Sequence, residues 1–523
     1  MAIDLSTLPL RMRLLIEQLS NHLFEKEQVI RITLLSALAG ESIFLLGPPG
    51  VAKSMVARRI KFAFQGAKSF EYLMGKFSTP DEVFGPVSIS RLKNEDKYER
   101  LVDNYLPGAQ IVFLDEIWKA SPAIQNSLLT VLNEKVFRNG DQEMKVDLRG
   151  LIAASNELPP AGEGLDALWD RFLVRLSIHN IQDPETFNQM LLTPSEKITQ
   201  NHVEDKLKIS QEEYQELLDL QKDVQISRHI LGLIQHIKRS IQERNATFRL
   251  EEQIYISDRR WRKIAALMRA AALLNGRWEV HVMDCFLIAD CIWQTPEQIE
   301  EMRELVKGSI SSYGFMGLAR LRSIQQDMEE LRKEIELSTR IAKKITVQRV
   351  KIYEDQKGLS YVHILDFWSE NNAYVKLQDI ENMGEDQDAF IGVYERSAKT
   401  FRAFQRYGFR KKNRFTLFSN GKPIPLETEA VEEERIELKQ PNEDQQSRWN
   451  RRIQVLLESL DKDLKKLEAQ RSEEMQHVAQ NLFVPASMGP IIHQSIKQTI
   501  DEVLNLRLEI EKTQDSYVSL RAN

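Results

Sequence analysis

The chain has 523 residues, of which 42% are hydrophobic and 28% charged, and its formal net charge is −6; this length predicts two or three domains, and the charge gives no whole-molecule reason to expect nucleic acid. Two cysteines, Cys285 and Cys291, are too few for a disulfide framework or a four-ligand zinc site. Because no run reaches the roughly 18 apolar residues of a spanning helix, we expect a soluble, cytoplasmic protein, with peripheral membrane association left open.

The first half of the chain alternates helical and strand patterns. Apolar residues at helical spacing predict a helix over Phe24–Ala39, which Gly40 ends. Four short apolar runs are typical of buried strands: Ile43–Leu46, Ile111–Leu114, Leu151–Ala154 and Leu173–Ile178. This alternation predicts a parallel sheet covered by helices.

After about Asp183 the strand patterns fade, and amphipathic runs continue to Trp293. Ser210 and Glu213 form a capping box, the signature of a helix start. We therefore expect a helical second domain.

Beyond it, alternating steps of three and four predict a long helix over residues 316–342, and the same spacing returns near Ile453–Leu467 and Ile496–Ile510. Between these helices, Ile345–Leu426 is strand-like, with Asn420-Gly421 as a hairpin turn. The pattern favours a helical bundle interrupted by a β-rich insertion. The acidic run Glu427–Glu437 is interpreted as a solvated linker or helix end.

One segment, IFLLGPPGVAKSMVARRI, has the order strand, glycine-rich loop and helix that binds phosphate through main-chain N–H groups. We expect Lys53 to reach the β and γ phosphates of ATP and Ser54 to bind Mg²⁺. The loop comprises Gly47, Pro48, Pro49, Gly50, Val51 and Ala52. Ala52 stands where the usual pattern has glycine, so its methyl group must fit beside the phosphates.

Other polar residues follow the later strands. Asp115 and Glu116 end an apolar strand, where we expect Asp115 to hold Mg²⁺ and Glu116 to activate water, although such a pair alone is more typical of a helix cap. Asn156 is placed to sense the γ phosphate or simply to form a turn. Arg171 and Arg175 are candidates to reach a neighbouring subunit's nucleotide, or to form structural salt bridges.

The segments GPPGVAKS, FLDEI, SNELP, DRF and SDRR occur in the order and spacing of AAA+ ATPases of the MoxR branch, and the resemblance covers residues 20–300. It implies that Lys53 and Ser54 belong to Walker A and Asp115 and Glu116 to Walker B. By the same resemblance Asn156 is sensor 1, Arg171 the arginine finger and Arg259 sensor 2, with Arg175 and Arg260 as rivals for the last two. It also implies a pore-facing β-hairpin in VFGPVSISRLKNEDKYERL, with a turn at Asn94–Asp96. FRNG, with Asn139-Gly140 as its turn, is similar to a second hairpin.

The C-terminal architecture resembles that of RavA-type (regulatory ATPase variant A) MoxR proteins. That resemblance implies a hexamer, a von Willebrand factor A domain partner of the ViaA kind, and an inserted LARA-like domain that binds an inducible lysine decarboxylase. Within the insertion, TFRAFQRYGFRKKNRF interleaves basic and aromatic residues. Such a segment fits an acidic protein surface, single-stranded nucleic acid, or a strand with its aromatic residues in the core.

We therefore expect an α/β P-loop AAA+ core with an all-α lid, followed by a discontinuous helical bundle carrying a small inserted β-rich domain. The expected boundaries are 1–190 for the core, 191–305 for the lid, 306–344 and 431–523 for the bundle, and 345–430 for the insertion. The leading hypothesis is an ATPase that remodels or assembles partner proteins. A nucleotide-gated adaptor and a DNA-dependent ATPase are the alternatives, although nucleic acid binding is not favoured.

Overall fold

The computed structural model describes residues 3–160, 164–194, 203–249, 252–315, 321–368 and 371–521. The chain divides into two compact units. The first comprises Met1–Gln325 and Val455–Glu509, and the second comprises Gln326–Gln454 and Ile510–Asn523. Residues 316–320, the start of the helix predicted over 316–342, lie outside the described residues.

The first unit is built on a parallel sheet of five strands in the order β2-β3-β6-β1-β7. The strands of this unit are β1 Ile43–Leu46, β2 Ser69–Leu73, β3 Ile111–Asp115, β4 Val136–Asn139, β5 Gln142–Lys145, β6 Gly150–Ser155 and β7 Val174–Ser177. All four predicted strands are confirmed as β1, β3, β6 and β7. Strand β2 was not predicted, because this edge strand is largely exposed and has no continuous apolar run.

Helices cover the sheet and continue beyond it. They are α1 Leu8–Ser20, α2 Glu27–Leu38, α3 Lys53–Lys61, α4 Pro80–Phe84, α5 Ile89–Glu95, α6 Pro122–Glu134, α7 Asp166–Trp169, α8 Pro184–Leu192, α9 Gln211–Asp223, α10 Arg228–Thr247, α11 Asp258–Leu274, α12 Ala289–Ile292 and α13 Gln298–Tyr313. Gly40 follows α2 with φ +69°. The predicted capping box begins α9, where Glu213 N donates to Ser210 Oγ at 3.2 Å. The run that holds the two cysteines forms a 3₁₀ helix, Val282–Ile288, followed by α12.

The two predicted hairpins have opposite outcomes. Strands β4 and β5 do pair, with Asn139 opposite Gln142, so the two-residue loop is Gly140-Asp141, one residue later than predicted. The hairpin predicted over residues 83–101 is wrong. That segment forms the short helix α5, because Ser88 Oγ caps it by accepting from Arg91 N. Strand pairing there is limited to a single bridge between Val87 and Arg100.

The C-terminal half contains three long helices and an inserted β region. The helices are α14 Leu321–Thr339, α16 Glu443–Gln480 and α17 Gly489–Val518, with the short α15 Leu377–Glu381 inside the insertion. The strands are β8 Arg340–Val350, β9 Ile352–Glu354, β10 Ser360–Ile364, β11 Ala373–Lys376, β12 Asp388–Ser397, β13 Thr400–Asn413, β14 Thr416–Ser419, β15 Lys422–Pro425 and β16 Thr428–Leu438. Strands β9 to β15 form an antiparallel meander. Its predicted turn is confirmed, since Asn420 and Gly421 both have positive φ between paired β14 and β15.

The interpretation of Glu427–Glu437 as a linker or helix end is wrong. All of these residues except Glu427 belong to β16, which pairs along its whole length with β8 in a two-stranded ribbon. Opposite charges face each other across the ribbon: Lys343 lies 3.2 Å from Glu437 and Lys344 3.7 Å from Glu432. The acidic run is therefore one strand of a pair whose basic partner lies about 90 residues earlier, with the inserted sheet between them.

Within the second unit the three long helices meet. The carboxylate of Glu334 accepts from Trp449 Nε1 at 3.0 Å and from Arg452 Nη1 at 2.6 Å. The Tyr517 hydroxyl donates to Asn450 Oδ1 at 2.6 Å. The interrupted helices therefore pack together, as their spacing predicted. In the part of the chain that the structure describes, none of the helices has the length and apolar character needed to cross a membrane.

Candidate functional site at the carboxyl edge of the sheet

The loop between β1 and α3 is shaped by close packing and by left-handed backbone. A Cβ atom on Gly47 would lie 2.4 Å from the carbonyl oxygen of Ile178, so only glycine fits against the chain that follows β7. Gly47 N also donates to Ser155 O at 3.2 Å, which ties the loop to β6. Gly50 has φ +87°. Successive residues of this kind turn main-chain N–H groups toward a common anion.

Ala52, the departure from the usual pattern, sits at φ +68° and ψ +24° immediately before α3. The left-handed region costs a residue with a Cβ atom about 1–2 kcal/mol. The loop therefore keeps the backbone shape that glycine would adopt, at a cost in strain. The side chain of Ala52 is half-buried.

The ammonium group of Lys53 lies where the loop meets the end of β6. Lys53 Nζ donates to Gly47 O at 2.5 Å, to Pro48 O at 3.2 Å and to Asn156 Oδ1 at 2.6 Å. Burial lowers the pKa of Lys53, and the carboxylates of Asp115 and Glu116 oppose that shift. Lys53 and Asn156, which are far apart in sequence, are thus in direct contact.

The two acidic residues end β3, which lies next to β6 in the sheet. Burial raises the pKa of Asp115, while a hydrogen bond from Glu116 N, 3.0 Å from Asp115 Oδ1, opposes the increase. Glu116 has φ +51°, an uncommon conformation for a non-glycine residue that recurs at functional sites. Its carboxylate lies 3.1 Å from Lys119 Nζ and 3.5 Å from Ser155 Oγ. The site therefore gathers residues from the carboxyl ends of three adjacent strands, where open parallel sheets bind ligands.

The donor set fits a magnesium nucleotide. Ser54, half-buried in the first turn of α3, and Asp115 offer a hydroxyl and a carboxylate, the hard oxygen ligands that Mg²⁺ takes alongside substrate phosphates. Among the described residues, no group of three or more His, Cys, Asp or Glu side chains could hold a metal ion by itself. A magnesium ion would thus depend on phosphate oxygens for part of its coordination.

The four candidate arginines divide into two buried and two accessible ones. Arg175 is buried: its guanidinium donates to Trp293 O at 2.5 Å and to Trp169 O at 3.1 Å. Arg260 is buried as well, and it donates to the main-chain oxygens of Asp170, Phe172, Leu173 and Cys291. The structure thus places both rivals in the interior, joining the sheet to the helices after it.

Arg171 and Arg259 share a different environment. Arg171 Nη1 lies 3.2 Å and Arg259 Nη2 lies 3.1 Å from the same oxygen, Oδ2 of Asp170. Arg259 Nη1 also donates to Asn133 Oδ1 at 3.1 Å. The side chain of Arg259 is 42% exposed, so its guanidinium is open to an anion from outside.

A cavity of about 400 Å³ beside the phosphate loop was not foreseen in the sequence. Its walls are the chain between α1 and α2, the loop itself, the chain after β7 and one face of α8. The lining residues are His22, Leu23, Phe24, Lys26, Gly50, Val51, Ala52, Met55, His179, Asn180, Ile181, Phe187 and Met190. These residues are scattered along the chain without a spacing rule, so periodicity offers no signal for them.

The basic and aromatic segment of the insertion is strand β13. Phe409 lies in the core of the inserted sheet, and Phe401 stacks on Tyr361 with ring centroids 4.0 Å apart. Arg410 pairs with Asp388 at 2.7 Å. Phe404 remains 59% exposed. Packing and ion pairs therefore explain part of the pattern, although most residues of β13 are exposed.

Comparison with known proteins agrees with this geometry. Residues 10–219 match the family described as the MoxR domain in the MoxR-vWA-beta-propeller ternary systems, and residues 229–306 match the AAA lid domain. Two uncharacterised proteins of Methanocaldococcus jannaschii are similar to this chain. One is 35% identical over 60% of this chain and 79% of its own length, and the other is 33% identical over 75% of this chain and 96% of its own length.

A crystal structure of a proposed ATPase from Cytophaga hutchinsonii is 18% identical, covers 58% of this chain and 95% of that protein, and has a TM-score of 0.47. The family matches cover the sheet with its phosphate loop and the helices that follow it. The chain belongs to the MoxR-type AAA+ ATPases, with an α/β nucleotide-binding core and a helical lid.

Proposed function

We propose that this protein hydrolyses ATP to ADP and phosphate at the carboxyl edge of its parallel sheet. The supporting observation is the contact between Lys53 Nζ and Asn156 Oδ1 at 2.6 Å, beside the half-buried end of β3, where Asp115 is the last residue and Glu116 follows it. Bound Mg²⁺, held by Ser54 and Asp115, would neutralise charge on the phosphates. The cavity lined by Phe24, Met55 and Ile181 is suited to the adenine base, because it is largely apolar and adjoins the loop.

Each remaining residue has a proposed task. Lys53 exchanges its contacts with loop carbonyls for phosphate oxygens. Asn156 holds the attacking water through its amide, and Glu116 accepts a proton from that water. Glu116 suits this task because it follows the end of β3 and its carboxylate lies beside Ser155 and Lys119, at the same edge of the sheet as Asn156.

Among the arginines, we propose Arg171 as the arginine finger and Arg259 as sensor 2. Arg175 and Arg260 are poor candidates, since each would have to leave several buried carbonyl oxygens unpaired in order to reach a phosphate. An arginine finger acts on the nucleotide of a neighbouring subunit, so this assignment implies that the subunits assemble into a ring. We propose a hexamer.

Two substitutions test the reaction. Lys53→Ala should abolish ATP binding, and Glu116→Gln should bind ATP but turn it over at least about 100-fold more slowly, the usual scale of a lost general base. Lys61→Ala, at the other end of α3, and Glu134→Gln, at the end of α6, are matched controls that should behave as wild type. Removal of Mg²⁺ with a chelator should stop turnover. Native-rate hydrolysis by Glu116→Gln would disprove the role of that carboxylate.

The subunit arrangement has its own test. Arg171→Ala protein has an intact phosphate loop, and Lys53→Ala protein has an intact arginine. If Arg171 acts on the neighbouring subunit, a mixture of the two inactive proteins should recover part of the turnover. A mixture that stays inactive, although both variants assemble as wild type does in mass measurements, would contradict action between subunits.

We further propose a RavA-type role in the cytoplasm, in which the ATPase remodels or assembles proteins together with a von Willebrand factor A domain partner. The family description that matches residues 10–219 places MoxR domains in systems with such partners. The inserted sheet is the proposed docking domain for an inducible lysine decarboxylase, since it leaves Phe390 and Phe404 more than half exposed.

Binding of the purified full-length chain to each of these two partners should be measured with and without nucleotide. A variant in which a short Gly-Ser turn replaces residues 351–427 keeps the ribbon β8–β16 and should lose only the decarboxylase. Nucleotide-dependent partner binding without steady ATP turnover would favour a nucleotide-gated adaptor instead. Turnover stimulated by DNA at low salt would favour a DNA-dependent ATPase.

A further inference from the structure

Asp170 has no role in the proposed reaction so far, although it contacts the two arginines to which roles are assigned. It follows the short helix α7 and precedes Arg171, so it belongs to the sheet region of the chain, whereas Arg259 begins the long helix α11. Oxygen Oδ2 of Asp170 is 3.2 Å from Arg171 Nη1 and 3.1 Å from Arg259 Nη2. One carboxylate oxygen therefore holds two guanidinium groups that come from distant parts of the chain.

The position of this carboxylate is set by its surroundings. Asp170 N donates to Asp166 O at 2.9 Å, and Asp170 O accepts from the buried Arg260 at 3.0 Å. The preceding residue, Trp169, is buried with the guanidinium of Arg175 3.8 Å from its ring centre. The backbone on both sides of the carboxylate is thus anchored, so the carboxylate can orient the two arginines.

Two guanidinium groups held this close repel each other unless a negative charge lies between them. The repulsion is visible at Arg171, whose pKa is lowered first by burial and then by the charge of Arg259, while Asp170 opposes both. Loss of the carboxylate would remove the attraction that offsets this repulsion. The two side chains would then separate, and Arg259 would keep only its contact with Asn133.

The pair also retains unused donors. Asp170 takes one N–H from each group, whereas a guanidinium offers five N–H donors in a rigid fork suited to phosphate. Arg171 Nε is buried and has no hydrogen-bond partner within the described part of the chain. A phosphoryl group carries more oxygens and more charge than one carboxylate, so it can accept from both arginines at once.

We propose that Asp170 is a positioning residue that holds Arg171 and Arg259 together as a pair for one phosphate group. This inference rests on the proposed ATPase function and extends it, because it makes the arginine finger and sensor 2 one unit. The bond that unites the pair joins the sheet region to helix α11, so a movement of that helix would displace both arginines together.

The test is Asp170→Asn, which keeps size and removes charge, beside Asp166→Asn as a control on the exposed side of the same short helix. Misplacement of catalytic groups by about 1 Å costs on the order of 100-fold in rate. We expect kcat of Asp170→Asn to fall by about that factor, with the Kd for ATP within about two-fold of wild type, because the phosphate loop is untouched. Asp170→Glu should restore part of kcat, and Asp166→Asn should match wild type.

Double variants decide whether the effect passes through the arginines. If it does, Arg259→Ala added to Asp170→Asn should slow turnover no further than Asp170→Asn does alone, because that arginine is already misplaced. Additive losses would overturn the proposal. So would a fall in kcat that accompanies an equal loss of assembly and is not relieved by Asp170→Glu, since that pattern belongs to a merely structural residue.

The experiments also distinguish failure of this positioning role from failure of the proposed ATPase function. Wild-type protein that neither binds nor hydrolyses ATP would refute the ATPase and this inference with it. Wild-type protein that hydrolyses ATP, beside Asp170→Asn protein with unchanged kcat, would refute the positioning role alone.

Discussion

Gly47 and Gly50, both in the loop between β1 and α3, should respond differently to substitution by alanine, because their surroundings differ. A methyl group on Gly47 would lie 2.4 Å from Ile178 O and 3.2 Å from a methyl carbon of Val51. Carbon atoms prefer separations of about 3.5–4.0 Å, so the loop or the chain after β7 must move by roughly 1 Å. Gly50 meets no atom within 4 Å of the same methyl position, and only its φ of +87° opposes alanine.

These geometries give different magnitudes. Forcing a methyl group into packed structure costs about 1–3 kcal/mol, and at Gly47 the neighbour is main chain, which has little freedom to yield. At Gly50 the left-handed conformation costs about 1–2 kcal/mol, and no neighbouring atom has to move. A shift of the loop at Gly47 would displace main-chain N–H groups from the phosphates, and each 1.4 kcal/mol lost in those contacts is about tenfold in affinity. We therefore expect Gly47→Ala to weaken ATP binding by up to about 100-fold, and Gly50→Ala, which needs no such shift, by less than about tenfold.

The assay is titration of each variant with a fluorescent ATP analogue, alongside thermal unfolding. Gly66→Ala is the matched control, because Gly66 also has positive φ and open space but lies outside the phosphate loop. It should bind nucleotide as wild type does. If Gly47→Ala bound nucleotide as tightly as Gly50→Ala, close packing against Ile178 could not be what requires glycine there.

Three further predictions follow from other parts of the chain. Arg260→Ala should destabilise the fold by about 3–5 kcal/mol, because four main-chain carbonyl oxygens lose their donor, three of them in buried hydrogen bonds. Arg259→Ala should instead leave the unfolding midpoint in place and lower turnover, and equal midpoints for the two variants would contradict this division. Burial lowers the pKa of His281 from 6.5 to about 4, so stability contributed by its neutral form is present above pH 6.5 and lost as pH falls through 4. At about 1.4 kcal/mol per pKa unit this amounts to roughly 3 kcal/mol, and His281→Gln should flatten the unfolding free energy between pH 4 and 6.5 relative to wild type. Residues 351–427 should fold alone, because their sheet has its own buried core, and a disordered amide spectrum of that fragment would refute independence.

Much of the fold could be predicted because the signals are local. Strands β1, β3 and β6 have continuous apolar runs, since both faces of a central parallel strand are buried. Strand β7 lies at the other edge of the sheet, but its residues are buried except at the last position. Edge strand β2 has one face exposed and no such run, and so it was missed. Helix α5 lies where the family resemblance implied a hairpin. Its local sequence signal is weak, since it consists of the single cap at Ser88.

The ribbon formed by β8 and β16 could not be predicted, for a different reason. Its two strands, β8 and β16, are separated by the whole inserted sheet, and each is highly charged. Read alone, Glu427–Glu437 has the composition of a solvated segment. Pairing with the basic residues of β8 is a long-range contact that no window of sequence contains.

The candidate site combines both kinds of information. The sequence alone placed the glycine-rich loop between β1 and α3 and the polar residues at the ends of β3 and β6, because glycine spacing and strand-terminal polar residues have local physical causes. Only the tertiary structure decided that Arg175 and Arg260 are buried against carbonyl oxygens while Arg171 and Arg259 share Asp170. The four arginines have the same side chain, and their environments differ because burial and hydrogen-bond partners are set by packing between distant segments.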